Sequence, residues 1–302
     1  MGRATASVLP AERPAWTAYL ELLKPITWFP PMWAFACGVV SSGQSLPDRW
    51  PFALAGILLA GPLVCGASQI VNDWFDRHVD AINEPDRPVP SGRVPGRNAL
   101  YFAIVWSALS LGVGALLGLW VFVATVVGVA LAWAYSAPPF RLKQNGWYGN
   151  GAVGLCYESL PWFTAAAAVM GGLPPGPIIA LALLYGLGAH GIMTLNDFKA
   201  IDGDTQLGVR TLPVQLGAEG AARVACIVML LPQLAVIGLL VSWGLPVAAT
   251  VVGLLVVAQM LLMWRFLAAP IERATWYSAL GVTLYVLGMM ASAVGVRSVV
   301  AA

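Results

Sequence analysis

Three carboxylates, Asp73, Asp76 and Asp80, fall at spacing i, i+3, i+7 in the stretch N-D-W-F-D-R-H-V-D-A-I-N-E-P-D-R-P-V-P-S-G-R, from Asn72 to Arg93. On an α-helix that spacing confines them to a strip about 60° wide and roughly 10 Å long. Like charges so crowded need neutralising, and divalent cations together with an anionic ligand suit the task. One acidic helix end alone reads as a solvated loop, but this one is repeated. In N-D-F-K-A-I-D-G-D, Asn196 and Asp197 repeat Asn72 and Asp73, and Asp204 repeats Asp80. Ala200 stands in place of the middle acid, with Lys199 and Asp202 nearby, and Arg87-Pro-Val-Pro90 is echoed by Arg210-Thr-Leu-Pro213. A repeated helix with an acidic loop implies two halves facing one central site.

The elements that must hold these acids are apolar. The segment before the first set, from Trp50 to Val71, is almost wholly hydrophobic, so the cluster sits where a membrane helix meets water. The chain is 59% hydrophobic and 10% charged, with mean hydropathy +0.78, which excludes an ordinary soluble domain. Runs of about 20 apolar residues predict an all-α polytopic membrane protein with nine spans. They are Ile26–Ser42, Pro51–Val71, Ala99–Gly118, Trp120–Ser136, Gly151–Met170, Pro177–Leu195, Ala221–Ser242, Pro246–Phe266 and Trp276–Val296. The first is short and carries Pro30-Pro31, which a span tolerates when neighbours satisfy the freed carbonyls. Lys and Arg concentrate in the N-terminal tail and in the 72–98, 137–149, 197–220 and 267–275 connections, leaving Arg49 and Arg297 on the other side. The positive-inside rule then puts the N-terminus and both acidic loops in the cytoplasm and the C-terminus outside. A nine-span domain over 26–296 is expected between a tail with an interfacial helix, 1–25, and an outer tail, 297–302.

Met1 to Ala18 holds no apolar core, so no cleavable signal peptide is expected there. Pro14 to Lys24 is expected to lie as a short interfacial helix. Cys37, Cys65, Cys156 and Cys226 lack metal-ligand spacing and read as small buried hydrophobes. Thirteen Trp suit interfacial belts and ring-stacking surfaces. A net charge of +2 gives no reason to invoke nucleic acid. In the 137–149 loop, Arg141 and Lys143 alternate, so that in an extended loop both point at one anion. With Arg87, Lys199 and Arg210 they place cations beside two metal-ready acid sets, a combination suited to a diphosphate held through Mg²⁺. Glu158 and His190 fall inside expected spans, where an ionisable group is costly. Glu158 is expected to line a polar cavity or bond a neighbouring helix, and His190 to border an acceptor pocket or make a helix-to-helix hydrogen bond.

The pair N-D-x-x-D-x-x-x-D and N-D-x-x-x-x-D-x-D resembles the UbiA superfamily of intramembrane prenyltransferases. Within it, the Ile-Asn-Glu-Pro and Asn-Asp-Phe-Lys portions, with Pro25-Ile-Thr-Trp-Phe-Pro-Pro31 and Tyr135-Ser-Ala-Pro-Pro139, resemble the chlorophyll and bacteriochlorophyll synthase branch. Where that pattern has Glu before the final Gly-Asp, this chain has Asp202. The resemblance implies transfer of a geranylgeranyl or phytyl group from its diphosphate to the propionate of bacteriochlorophyllide or chlorophyllide. Asp73, Asp76, Asp80, Asp197 and Asp204 would serve Mg²⁺ and catalysis. Asn72, Arg87, Arg141, Lys143, Asn196, Lys199 and Arg210 would bind diphosphate, with Tyr135, Glu158, His190 and Asp202 as further pocket candidates. It also implies a bacterial inner or photosynthetic membrane and pigment-biosynthesis or light-harvesting assembly partners. A propionate is ionised at neutral pH, so its oxygen needs no general base.

Three other readings compete. A quinone precursor or haem as acceptor would use the same diphosphate chemistry. A soluble-type chain elongase also pairs Asp motifs, but not within nine spans. A secondary transporter would share the two-fold repeat, yet alternating access places its site near the midplane, whereas these acids lie at one face.

Overall fold

The computed structural model describes residues 15–300; most of the segment read as lacking a signal peptide, and Ala301 and Ala302, lie outside the described residues. Helices α1 (Ala15–Leu22), α2 (Phe29–Ser41), α3 (Leu46–Leu58), α4 (Gly66–Asn83), α5 (Asn98–Leu117) and α6 (Leu119–Ser136) form the first half. The second half holds α7 (Gly146–Gly154), α8 (Leu160–Met170), α9 (Gly176–Asp197), α10 (Ile201–Leu207), α11 (Leu212–Ser242), α12 (Pro246–Leu267) and α13 (Pro270–Val300). Among the described residues there is no strand beyond one isolated bridge, between Asn145 and Arg210.

Helices α3 and α4 are one rod from Leu46 to Asn83, joined by a π-helical segment, Leu59–Cys65, that contains Pro62. A second π segment, Leu155–Ser159, joins α7 to α8. Among the described residues seven helices are long and apolar enough to cross a membrane: Leu46–Asn83, α5, α6, α9, α11, α12 and α13. The other two expected spans look different. The run 146–170 is continuous through its π segment but is not among the seven, and α2 has only 13 residues. Pro30 and Pro31 explain α2: both lie in its first turn, where a missing N–H costs nothing because that donor has no intrahelical partner anyway. The last helix continues through Arg297 to Val300. The stretch expected at the interface is helical as α1.

Interhelical contact relies on small residues, as in bundles held by van der Waals packing rather than by expulsion of water. A Cβ on Gly38 would lie 2.2 Å from the Trp162 carbonyl oxygen, so α2 and α8 approach backbone to backbone only because that residue is glycine. Gly191 does the same for α9 against α11, its hypothetical Cβ 2.5 Å from the Ala225 carbonyl. Several polar groups buried in this apolar packing pair across helices. The Gln233 amide donates to Gln259 Oε1 at 2.7 Å, Gln259 donates to the Gly281 carbonyl at 3.0 Å, and Tyr285 Oη donates to the Tyr185 carbonyl at 2.6 Å. Leu254, Leu261 and Trp264 on α12 face outward, an apolar surface suited to lipid.

Candidate active site

The first acidic set lies on the last three turns of α4, and fixed cations surround it. Asp73 is 1% exposed and receives Lys24 Nζ on Oδ1 at 2.6 Å. Arg87 Nη1 lies 3.6 Å from that same oxygen and donates to Asp80 Oδ2 at 3.0 Å, while Arg87 Nε binds Glu84 at 2.6 Å. Asp76 takes the Lys143 ammonium on one oxygen and the Asn72 amide, at 2.8 Å, on the other. Asn72 also donates to Ser136 Oγ, which ties α4 to α6. Burial pulls the Lys143 ammonium below its ordinary range, against the attraction of Asp76. One carboxylate oxygen is left over: Asp73 Oδ2 is buried without a partner.

Lys24 and Arg141 both sit in the left-handed region, at φ 44° and φ 41°. A non-glycine residue there costs about 1–3 kcal/mol and persists only where its surroundings hold it, commonly at functional sites. The loop around Arg141 is not extended as the alternation suggested. Leu142–Gln144 forms a 3₁₀ turn, which sends Lys143 to Asp76 and leaves Arg141 Nε buried without a partner. The two cations therefore do not form one fork.

The second set is differently furnished. Asp197 ends α9, and its Oδ2 accepts from the Asn150 amide at 3.2 Å; the same amide reaches Thr194. Asp204 lies on α10, where burial pushes its carboxyl upward. Among the described residues, Asp197, Asp202, Asp204, Lys199 and Arg210 enter no ion pair. Asn196, Lys199, Asp202 and Arg210 are exposed. Arg210 is nonetheless fixed by its backbone. Its N–H donates to the Gln144 carbonyl at 2.9 Å and its carbonyl accepts from Gly146 N–H at 2.8 Å, stitching the 137–145 loop to the second acidic loop.

Each motif reaches one cavity of about 570 Å³ through its asparagine, while Asp73, Asp76, Asp80, Asp197 and Asp204 lie outside the lining. Asn72 and Asn196 contribute one from each motif, and Tyr135 lies within electrostatic range of Asp197, Asp76 and Asp204. The walls are largely apolar, including Phe29, Trp33, Val64 and Val286. The two π segments meet in the wall, where Tyr157 Oη accepts from Cys65 Sγ at 3.5 Å and from the Gln69 amide at 3.1 Å. Glu158 lines the cavity; His190, whose ring lies 5.7 Å from that of Trp147, and Asp202 stand outside the lining.

Lys24 and Asn150 were not singled out from the sequence. Neither is near its acid in the chain, and the only available hints were a Lys-Pro step at the entry to the first apolar run and an Asn immediately before another.

The donor set fits Mg²⁺. Among the described residues no three metal-ligating side chains are gathered, but Mg²⁺ normally takes only one or two carboxylates and completes its shell with water and phosphate. Hard carboxylate oxygens from two segments, one of them orphaned and buried, meet that need once a diphosphate is present.

Fold and site together define a membrane-embedded helical protein with paired carboxylate segments at the mouth of an apolar chamber. The chain belongs to the UbiA prenyltransferase family, whose model matches residues 28–287, and it is a prenyltransferase. It is 57% identical to the bacteriochlorophyll synthase 33 kDa chain of Cereibacter sphaeroides, over 96% of each chain. It is 38% identical to the chloroplastic chlorophyll synthase of Oryza sativa, over 93% of this chain and 77% of that one. A UbiA homologue from Archaeoglobus fulgidus, solved bound to GPP and Mg²⁺, shares the fold at TM-score 0.69 and 21% identity, covering 90% of this chain and 99% of the other.

Proposed function

We propose that this chain esterifies bacteriochlorophyllide a, transferring a geranylgeranyl or phytyl group from its diphosphate to the ring propionate. The observation that carries the reading is full-length similarity at 57% identity to a bacteriochlorophyll synthase, well above the 38% shared with a chlorophyll synthase. The site chemistry supports it. Lys24, Arg87 and Lys143 pair with the first acids and offer positive charge to a departing diphosphate. Asp73, Asp76, Asp80, Asp197 and Asp204 would hold Mg²⁺, which supplies further stabilisation of the charge that develops on the leaving group. The apolar walls exclude water from an electron-poor allylic carbon and accommodate an isoprenoid. The propionate oxygen attacks as the anion, so no residue needs to act as base.

The lopsided Lys and Arg distribution supports an orientation with both acidic loops on the cytoplasmic side, and the likeness to a bacterial bacteriochlorophyll synthase supports a bacterial inner membrane. The test of function is esterification by membranes carrying the protein, given geranylgeranyl diphosphate, Mg²⁺ and bacteriochlorophyllide a or chlorophyllide a. Bacteriochlorophyllide ester that disappears with EDTA is the expected result. Ester formed only from chlorophyllide, or only from a quinone precursor, overturns the assignment of acceptor.

A further inference from the structure

Glu158 is the one acid that the diphosphate chemistry leaves unemployed inside the cavity. It is 5% exposed, lines the chamber, and lies on the π segment Leu155–Ser159, a kind of helical irregularity common at functional sites. Among the described residues it has no hydrogen bond and no ion pair, and its Oε2 is buried without a partner. The titratable groups within electrostatic range are Cys37 on α2 and Tyr285 on α13, and the Tyr285 hydroxyl is already committed to the Tyr185 carbonyl. No cation neutralises it. A lone carboxyl so placed persists as the neutral acid, because ionising it in an apolar interior is prohibitive. As an acid it carries an O–H that no hydrogen bond among the described residues holds.

An isoprenoid tail would leave that donor orphaned, since it has no acceptor atom. A tetrapyrrole would not. Glu158 lies eight residues beyond Asn150, roughly 12 Å further along the helix, and Asn150 touches Asp197 at the mouth. A macrocycle with its propionate at the mouth therefore extends its far rim toward Glu158. We propose that the Glu158 carboxyl donates a hydrogen bond to a carbonyl oxygen on the rim of the acceptor macrocycle, making it a specificity-determining residue for pigments that carry that carbonyl. The proposal rests on the tetrapyrrole reading above.

The experiment compares the wild type, Glu158→Gln and Glu158→Met in purified membranes with three acceptors. These are bacteriochlorophyllide a, its analogue with vinyl in place of the ring acetyl, and its analogue with the cyclopentanone carbonyl reduced to methylene. Wild-type esterification of bacteriochlorophyllide comes first; its absence defeats the acceptor reading rather than this one. Given that activity, Glu158→Met raises KM for bacteriochlorophyllide about 10- to 100-fold, while KM for geranylgeranyl diphosphate holds. Glu158→Gln, which keeps an N–H donor, stays within about 5-fold of wild type. For one of the two carbonyl-deleted acceptors the wild type and Glu158→Met converge, naming the carbonyl that is read. An equal loss on all three acceptors, or a change confined to the donor KM, overturns the proposal, because a merely structural carboxyl would act that way.

Discussion

The two acidic motifs repeat in sequence but differ in how their charge is met. Around Asp73, Asp76 and Asp80 the protein supplies Lys24, Arg87 and Lys143, each within ion-pair distance of an acid. Around Asp197 and Asp204 it supplies a neutral amide, Asn150, and among the described residues no paired cation. The first copy is therefore close to balanced before any ligand arrives; the second holds its charge in reserve. An internal repeat preserves the placement of carboxylates while leaving each copy free to choose its counter-charge, and on the proposed function the asymmetry would orient a bound diphosphate.

That contrast can be broken most severely at the acids themselves. Asp73→Ala and Asp197→Ala should each lower kcat for prenyl transfer by about 100- to 1000-fold, the scale of losing a main electrostatic contact at a reacting centre. Normal activity in Asp197→Ala would reduce the second copy to a relic. Asn150→Lys tests the contrast from the other side by giving Asp197 a fixed cation like that of Asp73. Its transfer rate should fall about 100-fold and its response to added Mg²⁺ should flatten, whereas Asn150→Ala should only raise the Mg²⁺ needed for half-maximal rate by about 10-fold. Lys24→Met removes one cation from the balanced copy while Arg87 stays near Asp73. We expect kcat/KM for the diphosphate to drop about 10-fold, and an unchanged value would mean that Lys24 serves only to hold α1 down. The smallest effect belongs to Arg223→Ala, which breaks an exposed i, i+4 pair with Glu219. It should shift thermal unfolding in detergent by less than about 0.5 kcal/mol and leave transfer unaffected.

Much of this was readable in the chain before any coordinates. Hydrophobic runs of membrane length located the helices because a bilayer imposes that length whatever the packing, and the repeat located the acids because their spacing follows the helix period. What stayed hidden has physical reasons. Lys24 and Asn150 meet their acids across 49 and 47 residues of chain, a distance at which no local pattern survives. Arg141 and Lys143 alternate as a strand would, but the loop turns tightly, and only one of them reaches an acid. The π segments were invisible because an apolar helix and an apolar bulge are written with the same residues. The membrane length of α2 was overestimated because apolarity continues through Ile26 to Trp28 although the regular α-helix begins only at Phe29.

The π segment at Leu155–Ser159 also acts as a phase shifter. Each residue of an α-helix advances the facing direction by about 100°, so the widened turn decides how the small-residue face of α8 is phased against the amides of α7. Asn150 addresses the acidic mouth from one side of that turn, and Ala165 meets Gly38 of α2 from the other. Removing a single residue from the segment would rotate one of these relationships by about 100°, so the rod would keep its hydropathy and its length within one residue yet could not serve the mouth and the α2 interface together.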